Sequence, residues 1–141
     1  YWENLTLIVH SGAGDTAVPP KACIGVTLLT PGGKYGIEYE IADGKSIENL
    51  GERRCIVAND YNHTLNRIDL QVTDVHKPLL SVAKMVDSGQ RVVFDPQCSF
   101  IEDTVTGERI PIDRKGGIYE LRLWAKQYQP KSPNEDFHRQ R

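Results

Sequence analysis

The sequence lacks a long apolar run and lacks any block of like charge. No stretch approaches the roughly 18 apolar residues that a membrane helix needs, and the first residues do not show the charged-then-apolar pattern of a secretion signal. Seventeen basic residues stand against nineteen acidic ones, for a formal net charge of −2, whereas nucleic-acid binding usually shows as a basic excess. We therefore expect a soluble domain that neither inserts into a membrane nor binds nucleic acid; the pattern does not indicate a compartment.

Cysteine is scarce, and its positions share no close spacing. The three residues are Cys23, Cys55 and Cys98. An odd number without a Cys-x-x-Cys pair argues against both a disulfide framework and a zinc site, so we expect three unpaired thiols.

The histidines likewise show no spacing typical of metal ligands. They are His10, His63, His76 and His138. We predict no metal and no other cofactor.

The residues that are present predict an all-β domain. With 141 residues, 39% of them apolar, the chain is long enough for one sizeable core. Most apolar runs are four to eight residues long, rich in Val, Ile, Leu and Tyr, and bounded by turn residues, which is typical of strands. Strands are predicted at 5–9, 24–29, 35–41, 54–58, 65–75, 91–94, 99–103, 109–113 and 118–124. The last four of these predict an antiparallel β-meander.

Two segments depart from the strand pattern. Apolar residues recur at helical spacing over 79–86, and Gly89 stands where a helix-ending glycine would lie, so one short helix is predicted. From Gln127 onward the chain is polar and contains Pro130 and Pro133. We therefore divide the chain into a domain at 1–126 and a flexible or partner-bound tail at 127–141.

An apolar strand followed by a glycine-containing polar loop carries the most informative motif. It reads Leu7-Ile8-Val9-His10-Ser11-Gly12-Ala13-Gly14-Asp15-Thr16. This segment resembles the active-site segment of retropepsins, in which two apolar residues precede Asp-[Ser/Thr]-Gly-Ala and Asp-Thr follows shortly. The candidate site residues are therefore His10, Ser11, Gly12, Ala13, Asp15 and Thr16.

The resemblance continues in the order shown by the protease segment of copia-type retrotransposon polyproteins, and it covers the chain from Leu5 to Leu123. Its further parts are Ile41-Ala42-Asp43-Gly44-Lys45, the strand Leu70 to Val75, Leu79-Leu80-Ser81-Val82 with Val92-Val93-Phe94, Thr106-Gly107-Glu108, and Lys115-Gly116-Gly117-Ile118-Tyr119-Glu120-Leu121. The last part is similar to the run that leads into the pre-integrase region. The resemblance implies a retropepsin-like acid-protease barrel.

His10 occupies the position of the family's catalytic aspartate. In the family mechanism two carboxylates share one proton, so that one acts as base and the other as acid. Two imidazoles cannot reproduce this state, because the charged forms repel and the neutral forms lack the anionic charge that holds the attacking water. We therefore interpret His10 as a polar residue that forms a hydrogen bond within its loop, and we expect no catalysis there.

The functional expectation is a catalytically inactive, retroelement-derived domain that acts as a structural or interaction subunit, bound to another protein or to a second copy of itself. The alternative is a retroviral-type aspartic endopeptidase that is active only with an Asp-bearing partner or was inactivated by engineering at His10. A third interpretation is a fragment of a retrotransposon polyprotein without a role of its own.

Three further sequence features bear on this hypothesis. Pro78 stands where the family often has asparagine before Leu-Leu-Ser, so the loop geometry there is expected to differ. Asp87-Ser88-Gly89 spells the protease tripeptide, but it follows the predicted helix and is interpreted as a helix-ending turn. If the first and last strands are exposed in the monomer, the candidate interface anchors are Trp2, Tyr119 and Trp124.

Overall fold

The all-β class is confirmed. A computed structural model describes residues 1–30, 38–40, 46–62 and 65–130 of the chain. The strands are β1 (Glu3–His10), β2 (Ala17–Val18), β3 (Leu28–Leu29), β4 (Glu38–Glu40), β5 (Ser46–Ala58), β6 (Asn66–Thr73), β7 (Leu79–Ser81), β8 (Gln90–Val93), β9 (Ser99–Asp103), β10 (Arg109–Lys115) and β11 (Ile118–Gln127). The helix α1 (Val82–Asp87) has six residues. Within the described ranges, no helix has the length and apolar character required to cross a bilayer.

Six strands pair in a closed ring. The order is β5, β6, β2, β7, β1 and β11, and β11 returns to β5. The closing pairs run from Trp124 opposite Ala58 to Gln127 opposite Cys55. Because a closed ring leaves no free edge between these strands, the backbone groups at the join are paired within the chain.

Alternation along the strands fills the ring. Leu5, Leu7 and Val9 of β1 are buried, and the residues between them are more exposed. Strand β11 repeats this pattern with three buried residues that lie on one face. They are Leu121, Leu123 and Ala125. Since successive side chains of a strand point to opposite faces, each strand sends every second residue into the core.

The predicted C-terminal meander is confirmed, because β8, β9, β10 and β11 pair in sequence and antiparallel. Glu102 of β9 lies opposite Arg91 on one side and Arg109 on the other. Its carboxylate accepts from Arg109 Nε at 2.7 Å and pairs with Arg91 Nε at 2.8 Å. The hydrogen bond from Arg109, assisted by the charge of Arg91, lowers the pKa of Glu102.

Two predicted elements differ from the structure. Of the strand predicted at 24–29, only Leu28–Leu29 pairs as β3; residues 20–26 form turns, and Ile24 is exposed. The predicted helix begins later than expected, because Leu79–Ser81 is a strand between β1 and β2. Leu80 is fully buried there, so sheet pairing replaces the helix that its spacing predicts.

The boundary between domain and tail also differs from the sequence prediction. Strand β11 includes Gln127, and the ring of Tyr128 is buried while its N–H donates to the carbonyl of Arg54 at 3.1 Å. The first two residues assigned to the tail therefore belong to the domain. Residues 131–141 of that tail, and most of the strand predicted at 35–41, lie outside the described residues.

A β-bulge in β5 depends on Gly51. The register against β6 shifts between Asn49 and Gly51, where Gly51 has φ +139°. A Cβ at this position would lie 2.3 Å from the carbonyl oxygen of Leu29. The buried Asn49 side chain accepts the Gly51 N–H at 2.9 Å. Only glycine fits both this backbone conformation and this close approach.

We expect Gly51→Ala to lower the free energy of unfolding by at least about 2 kcal/mol, because the methyl group would displace β3 or distort the bulge. Gly117→Ala is the matched control, since a Cβ there meets no heavy atom within 4 Å. Urea unfolding followed by circular dichroism measures both variants. Equal stability of the two would contradict the role assigned to the bulge.

Candidate functional site

The predicted motif lies where β1 ends and its loop begins. His10 is the last residue of β1, and the loop returns through Thr16 to β2. His10, Ser11 and Gly12 are exposed, whereas Thr16 is only 4% exposed. The loop is thus open at its tip and fixed at its base.

His10 uses one ring nitrogen within its own loop. Its Nδ1 accepts the N–H of Gly12 at 2.9 Å. A Cβ on Gly12 would lie 2.8 Å from His10 Cε1, which shows how closely the ring covers this glycine. The interpretation of His10 as a loop hydrogen-bonding residue is confirmed.

Ser81 fixes the base of the loop. Strand β7 runs parallel to β1, and Ser81 is the register partner of His10. Its buried hydroxyl donates to the carbonyl of Ala13 at 2.7 Å and accepts the N–H of Lys84 at 3.1 Å. The same side chain therefore holds the loop and caps the N-terminus of α1.

Thr16 completes this attachment from the other side. Its Oγ1 accepts the backbone N–H of Ser81 at 3.1 Å, and its carbonyl accepts the N–H of Gln71 in β6 at 2.9 Å. Two of the segments that carry the family resemblance, 7–16 and 79–82, are therefore joined by hydrogen bonds. We call the Ser81 and Thr16 contacts the loop clamp.

The aspartate of the loop forms an ion pair with the helix that follows β7. Asp15 is partly buried, and its Oδ1 lies 3.4 Å from Nζ of Lys84. Lys84 is half exposed, so this ion pair contributes little to stability. The loop thus presents an imidazole at its tip and a carboxylate that is paired with α1.

Ser81 and Lys84 are not among the site residues that are predicted from the sequence. Ser81 carries a usable signal, because a serine directly before a helical segment is a favoured N-cap. Lys84 carries none, since a lysine on a short amphipathic segment is ordinarily solvated. Only the three-dimensional contact with Asp15 distinguishes it.

The two other sequence features are placed as follows. Pro78 lies just before β7, so its missing N–H falls outside that strand, and its carbonyl accepts the N–H of Ile8 at 2.9 Å. Asp87-Ser88-Gly89 ends α1: the Ser88 N–H donates to the Lys84 carbonyl at 3.1 Å, and Gly89 has φ +88°. The prediction of a helix-ending turn is confirmed.

The three aromatic candidates do not share one environment. Tyr119 packs against the core, with its ring centroid 4.7 Å from that of Phe94. Trp2 and Trp124 are 37% and 39% exposed. Trp124 alternates with the buried Leu123 and Ala125 of β11, which has neighbours on each side, so its side chain lies on the outer face of the barrel. Trp2 precedes β1, whose first residues pair with β11 alone.

Two tryptophans and a lysine mark this outer face. Trp124 and Lys126 are two residues apart on β11 and point the same way, and Nζ of Lys126 lies 4.6 Å from the centroid of the Trp2 ring. Across the pairing with β5, Ala58 lies opposite Trp124 and Ile56 opposite Lys126. We call these five residues the tryptophan face.

A separate cavity of about 350 Å³ lies between β5–β6 and the C-terminal strands. Leu80 and Met85 contribute to its apolar wall, and Arg67 and Asp69, paired at 3.2 Å, to its polar wall. None of the motif residues from His10 to Thr16 lines it. Among the described residues, no group of three or more His, Cys, Asp or Glu side chains could hold a metal ion.

We expect Ser81→Ala to lower the free energy of unfolding by about 1–3 kcal/mol, because the Ala13 carbonyl and the first turn of α1 both lose a partner. Ser11→Ala is the control, since Ser11 is exposed at the loop tip and its loss is expected to change stability by less than about 0.5 kcal/mol. Chemical denaturation of both variants measures the difference. A Ser81→Ala effect as small as that of Ser11→Ala would show that the loop does not depend on the clamp.

No protein-family model, no curated protein and no solved structure matches the chain.

Proposed function

We propose that this chain is a retropepsin-like domain without protease activity of its own, which acts as an interaction subunit of a protein assembly. The observation that carries the proposed inactivity is the environment of His10. Its Nδ1 accepts the Gly12 N–H, and no carboxylate stands at the position where the family's motif has its catalytic aspartate.

The geometry of the loop supports this proposal. An aspartic dyad requires two carboxylates close enough to share a proton. A second copy of this chain would bring a second His10, and Asp15 is directed to Lys84. A symmetric pair of these loops therefore lacks both the general base and the general acid of the family mechanism.

The architecture supports the family assignment within the proposal. The motif lies at the end of β1, which pairs with β7 and β11 in the closed ring of strands. The loop clamp joins the motif to the Leu79-Leu80-Ser81-Val82 segment, the second part of the resemblance. Two segments about 65 residues apart that match one family in sequence order are thus also neighbours in space.

The tryptophan face supports the second half of the proposal. Exposed tryptophans with anchored polar groups are favourable contact residues, because they bury a large area at low entropic cost. Trp124 Nε1 donates to Asp60 Oδ1 at 3.0 Å, which holds the ring in place. We infer that this face binds protein, either a second copy of the chain or another subunit.

The protease half is tested by incubating the chain and its His10→Asp variant with a peptide library at acidic and neutral pH. We expect no pepstatin-sensitive cleavage by the unmodified chain, since it lacks the dyad carboxylate. The variant restores that carboxylate and is expected to cleave wherever it dimerises. Specific cleavage by the unmodified chain would contradict the proposed inactivity, and a folded, dimeric, inactive variant would count against a protease-type arrangement.

The interaction half is tested by sedimentation of the chain over a wide concentration range. We expect concentration-dependent association that Trp124→Ala weakens by at least about tenfold, in line with the loss of a central aromatic contact. Trp124→Phe is the matched control, because it removes the bond to Asp60 and keeps an aromatic ring. A monodisperse monomer at every concentration would contradict self-association and would leave another protein as the partner.

A further inference from the structure

Two of the three cysteines are buried in the same apolar core. Cys23 lies in the turn after β2 and Cys55 in the middle of β5, and they are 5% and 0% exposed. The third, Cys98, is exposed in the meander. The sequence spacing gives no indication of this pair, because about thirty residues separate its members.

Hydrogen bonds from Arg53 fix the turn above β5. Arg53 and Cys55 are two residues apart on β5, so their side chains point to the same face. The Arg53 guanidinium donates to the carbonyls of Pro20, at 3.0 Å from Nη2, and of Val26, from Nη1. Cys23 lies between these two anchors, and its own carbonyl accepts the Val26 N–H at 2.9 Å. The turn thus presents Cys23 to the face that carries Cys55.

The backbone at Cys23 is itself unusual. It is the one non-glycine residue with a positive φ, +53°, among the residues described by the structure. Cysteine has no side-chain oxygen to favour this region, as asparagine and aspartate have. The Arg53 bonds on either side over-determine the conformation, which directs the thiol inward.

The two thiols differ in acidity. A hydrogen bond from Cys55 lowers the pKa of the Cys23 thiol, against the opposing effect of burial. The same bond, with burial, raises the pKa of the Cys55 thiol. Cys23 is therefore the better nucleophile of the pair, and Cys55 retains its proton until a second step.

We propose that Cys23 and Cys55 are a modification site at which a peroxide oxidises the pair to an intrachain disulfide. The Cys23 sulfur attacks one oxygen of hydrogen peroxide; the O–O bond breaks, the other oxygen leaves as water, and Cys23 becomes a sulfenic acid. The Cys55 sulfur then attacks the Cys23 sulfur, the S–O bond breaks, and the oxygen leaves as a second water with the Cys55 proton. Two thiols and one peroxide give one disulfide and two waters, so atoms and electrons balance.

The disulfide would connect the turn to the barrel wall. It closes a loop of about 30 residues that includes β3 and β4, and cross-linking a loop of this length restricts the unfolded chain strongly. We expect the oxidised protein to melt on the order of 10 °C higher than the reduced one. Neither cysteine belongs to the motif loop or to the tryptophan face, so this inference is independent of the proposed function.

The test treats the reduced, folded full chain with a small excess of hydrogen peroxide, then alkylates under denaturing conditions without reductant. Intact mass is expected to show the loss of two hydrogen atoms and one alkylated thiol, and peptide mapping is expected to join Cys23 to Cys55 with Cys98 alkylated. Dithiothreitol is expected to restore three alkylated thiols and the lower melting temperature.

Cysteine variants distinguish oxidation of this pair from nonspecific oxidation. Cys98→Ser is expected to form the disulfide as the unmodified chain does, and Cys23→Ser to lose both the disulfide and the gain in melting temperature. Because Cys55 is fully buried and its variants can fail to fold, the mapping of the unmodified chain stands as the primary measurement. A disulfide through Cys98, or oxidised Cys23 with Cys55 still open to alkylation, would overturn the proposal.

Discussion

The pairing of β11 with three different strands is the constraint on which the rest of the structure depends. Its first residues pair with β10, its middle with β1 and its last four with β5. The final pairing converts an open, twisted sheet into a closed ring, and the first attaches the meander to that ring. A single ten-residue strand thus sets the curvature of the barrel and the position of everything outside it.

The same constraint positions the candidate site. Because β11 occupies one side of β1, the other side is left for β7, which pairs with only three residues. That short pairing brings Ser81 beside His10, and the loop clamp follows from it. The site therefore has a base that is held by backbone and hydroxyl hydrogen bonds, and an exposed tip that carries His10. The loop clamp does not depend on which residue stands at the tip, so it is compatible with the proposed interaction role.

Much of the fold could be predicted from the sequence. Strand β1 shows the alternation of apolar and polar residues that is typical of a strand, and clear turn residues separate β8 to β11. The prediction failed where local pattern and tertiary context disagree. The apolar residues at 24–29 resemble a strand, yet the guanidinium of Arg53 holds that segment in a turn. Leu79 and Leu80 fit a helix equally well, and pairing with β1 decides for a strand. Tyr128 lies in a polar stretch, but it is buried beside Arg67, whose guanidinium carbon lies 4.7 Å from its ring centroid.

The candidate site was predictable in part. The motif identified His10 and its loop, and the N-cap rule could have identified Ser81. Contacts that join distant parts of the chain, such as Lys84 with Asp15 or Cys23 with Cys55, leave no trace in spacing because neither partner lies at a fixed offset from the other. The retropepsin-like barrel itself remains a prediction that rests on the motif and its order along the chain.

Barrel closure by β11 also governs when the chain can fold. The strands that it joins, β1 and β5, are made long before it during synthesis, and the backbone of Thr27 bonds to the side chain of Gln127 one hundred residues later. Until β11 is available, β1 and β5 each have an unpaired edge, which is a template for association with other chains. With such distant contacts, folding is slow relative to chains of similar size that rely on local pairing. A polypeptide of this architecture thus depends on protection of its early strands for as long as its last one is missing.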